Sequence, residues 1–546
     1  MLRRFISRVA VISFISLTAL GCGYNNKIEK VISAYQSGQF EESAKLAQEM
    51  ADKAAKDKSQ SQVVFRLEEG ATLRAAGHWN ESNRAFEIAH DTVDKFDYDP
   101  DFKVTRETGA ALTNLSTLEY RGYAYDGIML NTYMAMNYLE QGKIDAARIE
   151  VNRIYRRQAT AVDRFRKRIE KREDEIAKDK KDNAGRAKYD ETFDNAGLQS
   201  NLKKVYGEDF EPKRKVKYND LQPYRDYVNP FSEYLRGLFY LHCASDFADM
   251  GKALIAMRRV TGMLPPDSLA LPYVKEDLGL ADGFIRGKRK DPVTYVIFET
   301  GLGPKRGQIR IDVPIFLANI AIHDTGVDYV GAAFPTLERR DGHLPNLVVT
   351  TTDGRSYKTA ILADIDDIVN REFKNELPMV ITKTIVATVT KAAIAYALNE
   401  ATKDNQWANI LSRVSTTIYQ ASQNQADLRT WQTLPKQMQI LRLASPKDGK
   451  LTLLTPAGSI ISTVSVQPGV TNVVYVKSVQ AAVAPIVRTY VLQPAWKMTA
   501  SIAAADHSPT DEELAELEPM LSEPANDPST QPAPMTRAAP TTAAAK

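Results

Sequence analysis

SGQFEESAKLAQEM at residues 37–50 and AGHWNESNRAFEIA at residues 76–89 are two versions of one pattern. Gly38-x-Phe40-x-x-Ser43 returns as Gly77-x-Trp79-x-x-Ser82, and QGKIDAARIEVNRI at 141–154 gives a third copy, Gly142-x-Ile144-x-x-Ala147. The spacing has a physical cause. Glycine permits a chain reversal that a side chain obstructs. The small residue five places on lets a second helix lie close to the first, and larger residues after it fill the gap between helix pairs. Such units bury their faces only by stacking, so several are needed. A fourth, degenerate unit reads from NPFSEYLRGLFYLHCASDFADMGKALIAMRRV at 229–260, with Gly237 and Tyr240 in the first helix. The turn glycines are unevenly spaced, since 77 − 38 = 39 but 142 − 77 = 65. The prediction is an irregular α-helical repeat domain with insertions, spanning 22–290.

The pattern resembles the tetratricopeptide repeat. The second copy matches it at Gly70, Leu73, Gly77, Ser82, Phe86 and Ala89, and the third at Tyr138, Gly142, Ala147, Val151 and Ile154. That resemblance implies a protein-binding array. In LEYRGYAYDGIMLNTYMAMNYLEQGK, Tyr120, Tyr123, Tyr133 and Tyr138 stand at helical spacing. Aromatic residues so placed ordinarily fill a core. In a repeat array they also line concave recognition surfaces, which makes these four tyrosines the partner-binding candidates of the helical half. VDRFRKRIEKREDEIAKDKKDNAGRAKYDETFDNAG, inside a charged insertion at about 160–218, alternates acids and bases at helical spacing and predicts a solvated helix or a disordered excursion.

Near Asp291-Pro292 the period changes from helical to alternating. VTYVIFET and QIRIDVPI read as strands, joined by GLGPKRG at 301–307. Lys305 and Arg306 in that loop invite a phosphate-binding reading. The loop lacks the order of a P-loop and precedes a strand rather than a helix, so a hairpin connection is the expectation. NLVVTTTDGRSYKTAIL predicts a second hairpin, with Asp353-Gly354 as a type I′ turn. Two helices, TKTIVATVTKAAIAYALNEATK and NQWANILSRVSTTIYQASQ, interrupt the strands at about 380–425; Lys383 and Lys391 argue against a membrane span. Strands resume in KQMQILRLA, KLTLLTP, STVSVQPG and TNVVYVKS. The fold class is therefore α+β and multidomain: the helical repeat domain, then a sandwich-like β-rich domain at 291–502 with an inserted helix pair. Residues 503–546 are rich in Pro, Ala, Thr and acids, a composition that predicts disorder. The corner ADLRTWQTLPKQMQI holds Trp431, a packing tryptophan or a fifth binding candidate.

The N-terminus carries its own message. MLRRFISR, then VAVISFISLTAL, then Ala19-Leu20-Gly21-Cys22 make a basic start, an apolar run too short to span a bilayer, and a small-residue end. The last four residues resemble the lipobox of bacterial lipoproteins. That resemblance implies removal of signal peptide 1–21 by cleavage between Gly21 and Cys22, and acylation of Cys22, which tethers the mature chain to a lipid bilayer. Gly23, rather than aspartate, at the next place implies the outer membrane, on its periplasmic side. Cys243 is then the one remaining thiol, so the fold stands without an intramolecular disulfide.

Motifs of chemistry are scarce. A net charge of +3 over 546 residues argues against a dedicated nucleic-acid binder. The six histidines form no i, i+4 pair, and HExxH, GxSxG and CxxC are all missing from the sequence. No metal, cofactor or catalytic residue is expected. Asp364, Asp366 and Asp367 read as a helix start, where capping and the helix dipole favour acids. The layout, carried by YAYDGIMLNTYMAMNYLEQGKIDAARIEVNR, NPFSEYLRGLFYL, VIFETGLGPKRGQIRIDVP and ADLRTWQTLPKQMQI, resembles a family of uncharacterised bacterial outer-membrane lipoproteins with tetratricopeptide-like N-terminal helices. The reading is a non-enzymatic adaptor that holds an envelope protein. The alternative is an envelope enzyme or glycan-binding protein with a site between the halves, near Trp431 and the 301–307 loop.

Overall fold

The computed structural model describes residues 24–98, 118–182, 187–211, 229–286, 291–316, 328–401 and 425–492. The expected signal peptide, Cys22, the second expected helix of the inserted pair and the expected disordered tail lie outside the described residues. Within them the chain is mixed α+β, with helices first and sheets after.

Four helical hairpins stand where the repeated motif puts them. They are α1 (Tyr24–Gln36) with α2 (Phe40–Lys56), α3 (Gln62–Ala76) with α4 (Trp79–Tyr98), α5 (Ala124–Glu140) with α6 (Ile144–Asp182), and α9 (Pro230–His242) with α10 (Phe247–Met263). Between the last two pairs come the short α7 (Tyr189–Phe193) and α8 (Ala196–Tyr206); α11 (Leu271–Ile285) closes the helical half. Gly77 ends α3 at φ +90, and the next amide, of His78, donates to the Leu73 carbonyl at 2.9 Å, a Schellman ending. The serine of the motif has a job in both copies. Ser43 Oγ donates to the Val31 carbonyl at 2.9 Å, and Ser82 Oγ to the Gly70 carbonyl at 2.7 Å, each reaching twelve residues back across its hairpin. A Cβ on Gly70 would lie 2.5 Å from the Phe86 ring, so the helices meet backbone to ring.

The strands form three sheets. The central one has the order β11-β10-β1-β7-β6: β11 (Ile486–Leu492), β10 (Thr471–Ser478), β1 (Val293–Thr300), β7 (Gln437–Ala444) and β6 (Ala360–Asp364). Strands β1 and β10 run parallel, and the other neighbours antiparallel. A second sheet of β4 (Val348–Thr351), β5 (Ser356–Lys358), β8 (Lys450–Leu454) and β9 (Ile460–Ser465) packs on it through Val296, Phe298, Leu441, Val474, Leu451 and Leu453. The two sheets face each other across this seam. The other face of the central sheet was not expected. Tyr295, Ile297, Ile440, Val473 and Tyr475, at the alternate strand positions, share one hydrophobic core with α1, α3, α5, α9 and α11. The helical and β-rich halves are thus fused rather than strung in series.

A third body gathers elements from both halves. The hairpin of β2 (Lys305–Ile315) and β3 (Asp328–Glu338), the short α7 and α8, the far end of α6, and the long α12 (Ile365–Ala401) enclose Phe193, Leu198, Val313, Phe334, Ile381 and Ile385. Several expectations change here. GLGPKRG does not close a hairpin between β1 and β2; those strands belong to different sheets, β1 pairing with the distant β7 and β10 and β2 with the next strand, β3. The charged insertion opens within α6, a 39-residue helix that starts at Ile144, and the inner stripe there, Ala161, Phe165 and Ile169, is buried rather than solvated. The first inserted helix starts at Ile365 instead of near 380 and runs through Pro378. It is long and apolar enough to cross a membrane by length and composition, yet 61% of that stretch is buried within the fold, with Lys383 paired to Glu175 at 2.7 Å. Asp364 caps it, accepting the Asp367 amide at 3.2 Å, as the acids predicted. The β4–β5 hairpin forms, but Asp353 keeps a negative φ and only Gly354 turns left-handed at +82, giving a type I turn with a bulge in place of type I′.

Candidate functional site

Each residue expected to meet a partner has a neighbour in its own chain. The segment 425–436 runs without helix or strand against the inner side of the array. Arg429 anchors it: Nε reaches Asp427 at 2.8 Å, and Nη1 donates to the carbonyls of Leu118 at 2.7 Å and Gln60 at 3.0 Å. Trp431 follows, 1% exposed, its ring centroid 5.7 Å from Phe86 of α4 and 5.8 Å from Tyr133 of α5. Glu68 of α3 then receives the backbone amides of Gln432 at 2.6 Å and Thr433 at 3.1 Å, together with the Thr433 hydroxyl at 2.6 Å. Burial raises the Glu68 carboxyl above its ordinary range, and these donors pull it back only in part.

The recognition groove read from the tyrosines is therefore filled from within. Tyr120 and Tyr133 are buried, and Tyr123 and Tyr138 are half-buried against the same core. Tyr133 donates to Glu299 at 3.1 Å, and Tyr120 to Asp126 at 2.5 Å. The reason is geometric. Helical spacing shows that a face is aromatic but not what covers it, and here segment 425–436 and the central sheet do.

The seam beneath is neither flat nor purely apolar. Lys477 of β10 pairs with Glu299 of β1 at 2.6 Å, and Arg74 of α3 with Glu140 of α5 at 2.8 Å, all four side chains being buried. Burial pushes the Glu299 carboxyl up, but Lys477 and Arg74 outweigh it and hold it below its usual value. Nearby, Asp277 of α11 accepts from Tyr234 and Tyr295 at 2.6 Å each and from Arg442 at 2.7 Å. These are interlocking contacts with no open face.

Among the described residues two openings stand out. The larger, about 850 Å³, is a groove whose floor is Thr359 and the length of β6, and whose far wall is the turn between α10 and α11, with Leu264, Pro265 and Leu269. Strand β6 is the last in its sheet, so among the described residues one edge of its backbone has no strand partner, and its residues line the groove. Ile361 and Leu269 stand 45% and 80% exposed across it, and Asn346 Oδ1 is buried there without a hydrogen-bond partner. The sequence offered little signal: β6 is five residues long and was read as the tail of a hairpin.

The smaller, about 90 Å³, lies where Tyr120 and Tyr123 meet Arg306 of the glycine-rich loop and Arg429 of the corner. Arg168 of α6 lines it, held by Glu372 at 2.8 Å and Glu376 at 2.7 Å, as does Arg172, held by Glu175 at 2.8 Å. Asp126, one step behind Tyr120 and Tyr123, is pushed up to about 7 by burial against the pull of its hydrogen bonds from Tyr120 and the Tyr123 amide. Among the described residues, no group of three His, Cys, Asp or Glu side chains converges as a metal site. The chain has no match among protein-family models, curated proteins or solved structures, so its site is read from its own residues.

Proposed function

We propose that the chain is a lipid-anchored, non-enzymatic scaffold of the bacterial envelope that grips an extended segment of a partner protein in the groove beside β6. The single observation behind this reading is that groove. It pairs an unsatisfied strand edge with a facing apolar wall, the arrangement in which a peptide adds as a further strand: backbone bonds supply affinity, and alternate side chains meet Ile361 and Leu269. The tetratricopeptide-like array has the role of a frame in this reading, because its inner face already holds segment 425–436. The lipobox-like Ala19-Leu20-Gly21-Cys22 supplies the anchor and Gly23 the outer membrane, as in the lipoprotein family that the layout resembles. The competing idea of an enzyme or glycan site at Trp431 needs an open cavity where the ring is 1% exposed.

The test uses the full chain in its native membranes, with a photo-crosslinking residue at position 361 or 269 and, as control, at Ile460 on the far sheet. One and the same envelope protein should be captured from 361 and 269, not from 460, and should be lost from 269 when Ile361→Lys is added. Capture at all three positions, or at none, contradicts the proposal.

A further inference from the structure

Arg306 is the one member of the glycine-rich loop whose placement the fold leaves unexplained. Lys305, its neighbour, reaches outward to Glu338 at 3.1 Å. Arg306 turns inward and is 4% exposed. Its guanidinium carbon stands 4.4 Å from the centre of the Tyr123 ring and 5.3 Å from that of Phe373. Its nearest carboxylate oxygen, on Glu376, is 4.0 Å away, beyond hydrogen-bond length, and its Nε is buried without a partner. The contrast with the surrounding cations is direct. Arg168 also has a buried Nε without a partner, but its Nη2 is held by Glu372 and Glu376 below 3 Å; Arg172 is held by Glu175 at 2.8 Å, and Arg429 by Asp427 and two carbonyls. A buried cation left so incompletely satisfied is costly, and structures retain one where a ligand completes it.

The pocket that Arg306 lines has room for that ligand. About 90 Å³ accommodates a group of several heavy atoms but not a nucleoside. Five arginines and three acids line it, and two of those arginines, Arg168 and Arg172, are paired with Glu372 and Glu175 just outside the wall. The planar fork of a guanidinium matches two oxygens of a tetrahedral oxyanion, and stacking on Tyr123 fixes the fork's plane. We propose that this pocket binds a phosphoryl group, with Arg306 as the principal donor and Arg172 as a secondary one.

The group has two sources, and the position of the pocket makes both reasonable. Asn25, in the first turn of α1, donates to the Arg306 carbonyl at 2.9 Å. Tyr24, where α1 begins, is two residues from Cys22, about 7 Å of chain at full extension. An acylated Cys22 would therefore hold lipid headgroups close to this side of the protein. Free phosphate is the other source. The site itself does not depend on the anchor or on the β6 groove.

The test titrates inorganic phosphate into the purified full chain in dodecyl maltoside, in chloride buffer, by calorimetry, and repeats it after reconstitution into phosphatidylglycerol vesicles. Saturable binding at one site is expected in detergent, weakened at least tenfold by Arg306→Gln. If that variant fails to fold, Arg172→Gln, at a more exposed place, should weaken binding at least threefold. The same affinity in vesicles identifies free phosphate as the ligand; binding present in detergent but silent in vesicles identifies a headgroup already seated. No saturable binding in detergent, or variants that fold and bind like the parent, overturns the proposal. Because the detergent arm needs no acylation, its outcome is separate from that of the anchor.

Discussion

The two faces of the central sheet are made by the same strands and built on opposite terms. Toward the second sheet, Val296, Phe298, Leu441, Leu443, Val474 and Val476 form a seam of aliphatic and aromatic carbon. Toward the helices, the alternate positions carry Tyr295, Glu299, Arg442, Tyr475 and Lys477. Burying charge there gains little net energy over carbon. What it contributes is orientation. An aliphatic seam tolerates small slips, whereas the bonds that cross from helix to strand, Tyr133 to Glu299 and Tyr295 and Arg442 to Asp277, are satisfied in one arrangement only. The polar face thus fixes how the array sits on the sheet, and with it the place of segment 425–436 and the walls of the β6 groove.

The largest effects should come from breaking that polar face one partner at a time. Lys477→Met alone strands Glu299 and should cost about 3–5 kcal/mol in denaturant unfolding, whereas adding Glu299→Leu should recover most of the loss, because an apolar pair of similar volume is often neutral or better. On the sandwich face no such rescue exists: Leu441→Ala should cost about 2–5 kcal/mol, and a second truncation should deepen the loss. A double variant no more stable than Lys477→Met alone would contradict the view that the pair specifies geometry. Trp431→Ala should cost about 3–5 kcal/mol if the ring closes the array from within, and well under 1 kcal/mol if it is a surface residue.

Dependence on pH offers a finer comparison within the helical half. Burial raises Asp126 to about 7, so its neutral form is favoured by folding; that stability is full below the unfolded value of 3.8 and is lost as pH rises through about 7. His90 has the reverse sign. Burial and the adjacent Arg157 lower it to about 4, so its contribution is full above 6.5 and is lost as pH falls toward 4. Asp126→Asn should flatten the decline of the melting temperature between pH 4 and 7, and His90→Gln should flatten the acid-side decline between 6.5 and 4. Unchanged profiles would mean that neither group is sequestered as described. The smallest stability effect belongs to the groove: Ile361→Lys, on a 45% exposed side chain, should shift stability by no more than about 0.5 kcal/mol while abolishing partner capture.

How far these regions were legible follows from which physics is local. The helical hairpins were readable because their causes lie within a dozen residues: a left-handed Gly77, a serine reaching back to Gly70, the ring of Phe86 against it. Strand β2 announced itself by alternation, and the acids before α12 by capping. The pairings were another matter. Lys477 faces Glu299 across parallel strands 178 residues apart, and nothing near either residue says so. The polar opening of α12, IDDIVNREFKNELP, masked a helix that is buried farther along. The five binding candidates show the limit most plainly. Tyr120, Tyr133 and Trp431 were recognisable as unusual, but whether an aromatic face meets a stranger or its own chain is decided by topology.

The claim that carries the most weight is that segment 425–436 occupies the array from inside. Hydrogen exchange followed by mass spectrometry on the intact chain tests it directly, through the amides of Gln432 and Thr433. Held by Glu68 beside a buried Trp431, they should exchange only on the global opening that also releases β1, with the same dependence on denaturant. Exchange at the rate of an exposed loop while β1 stays protected would mean that the inner face of the array is open, and that the partner belongs there after all.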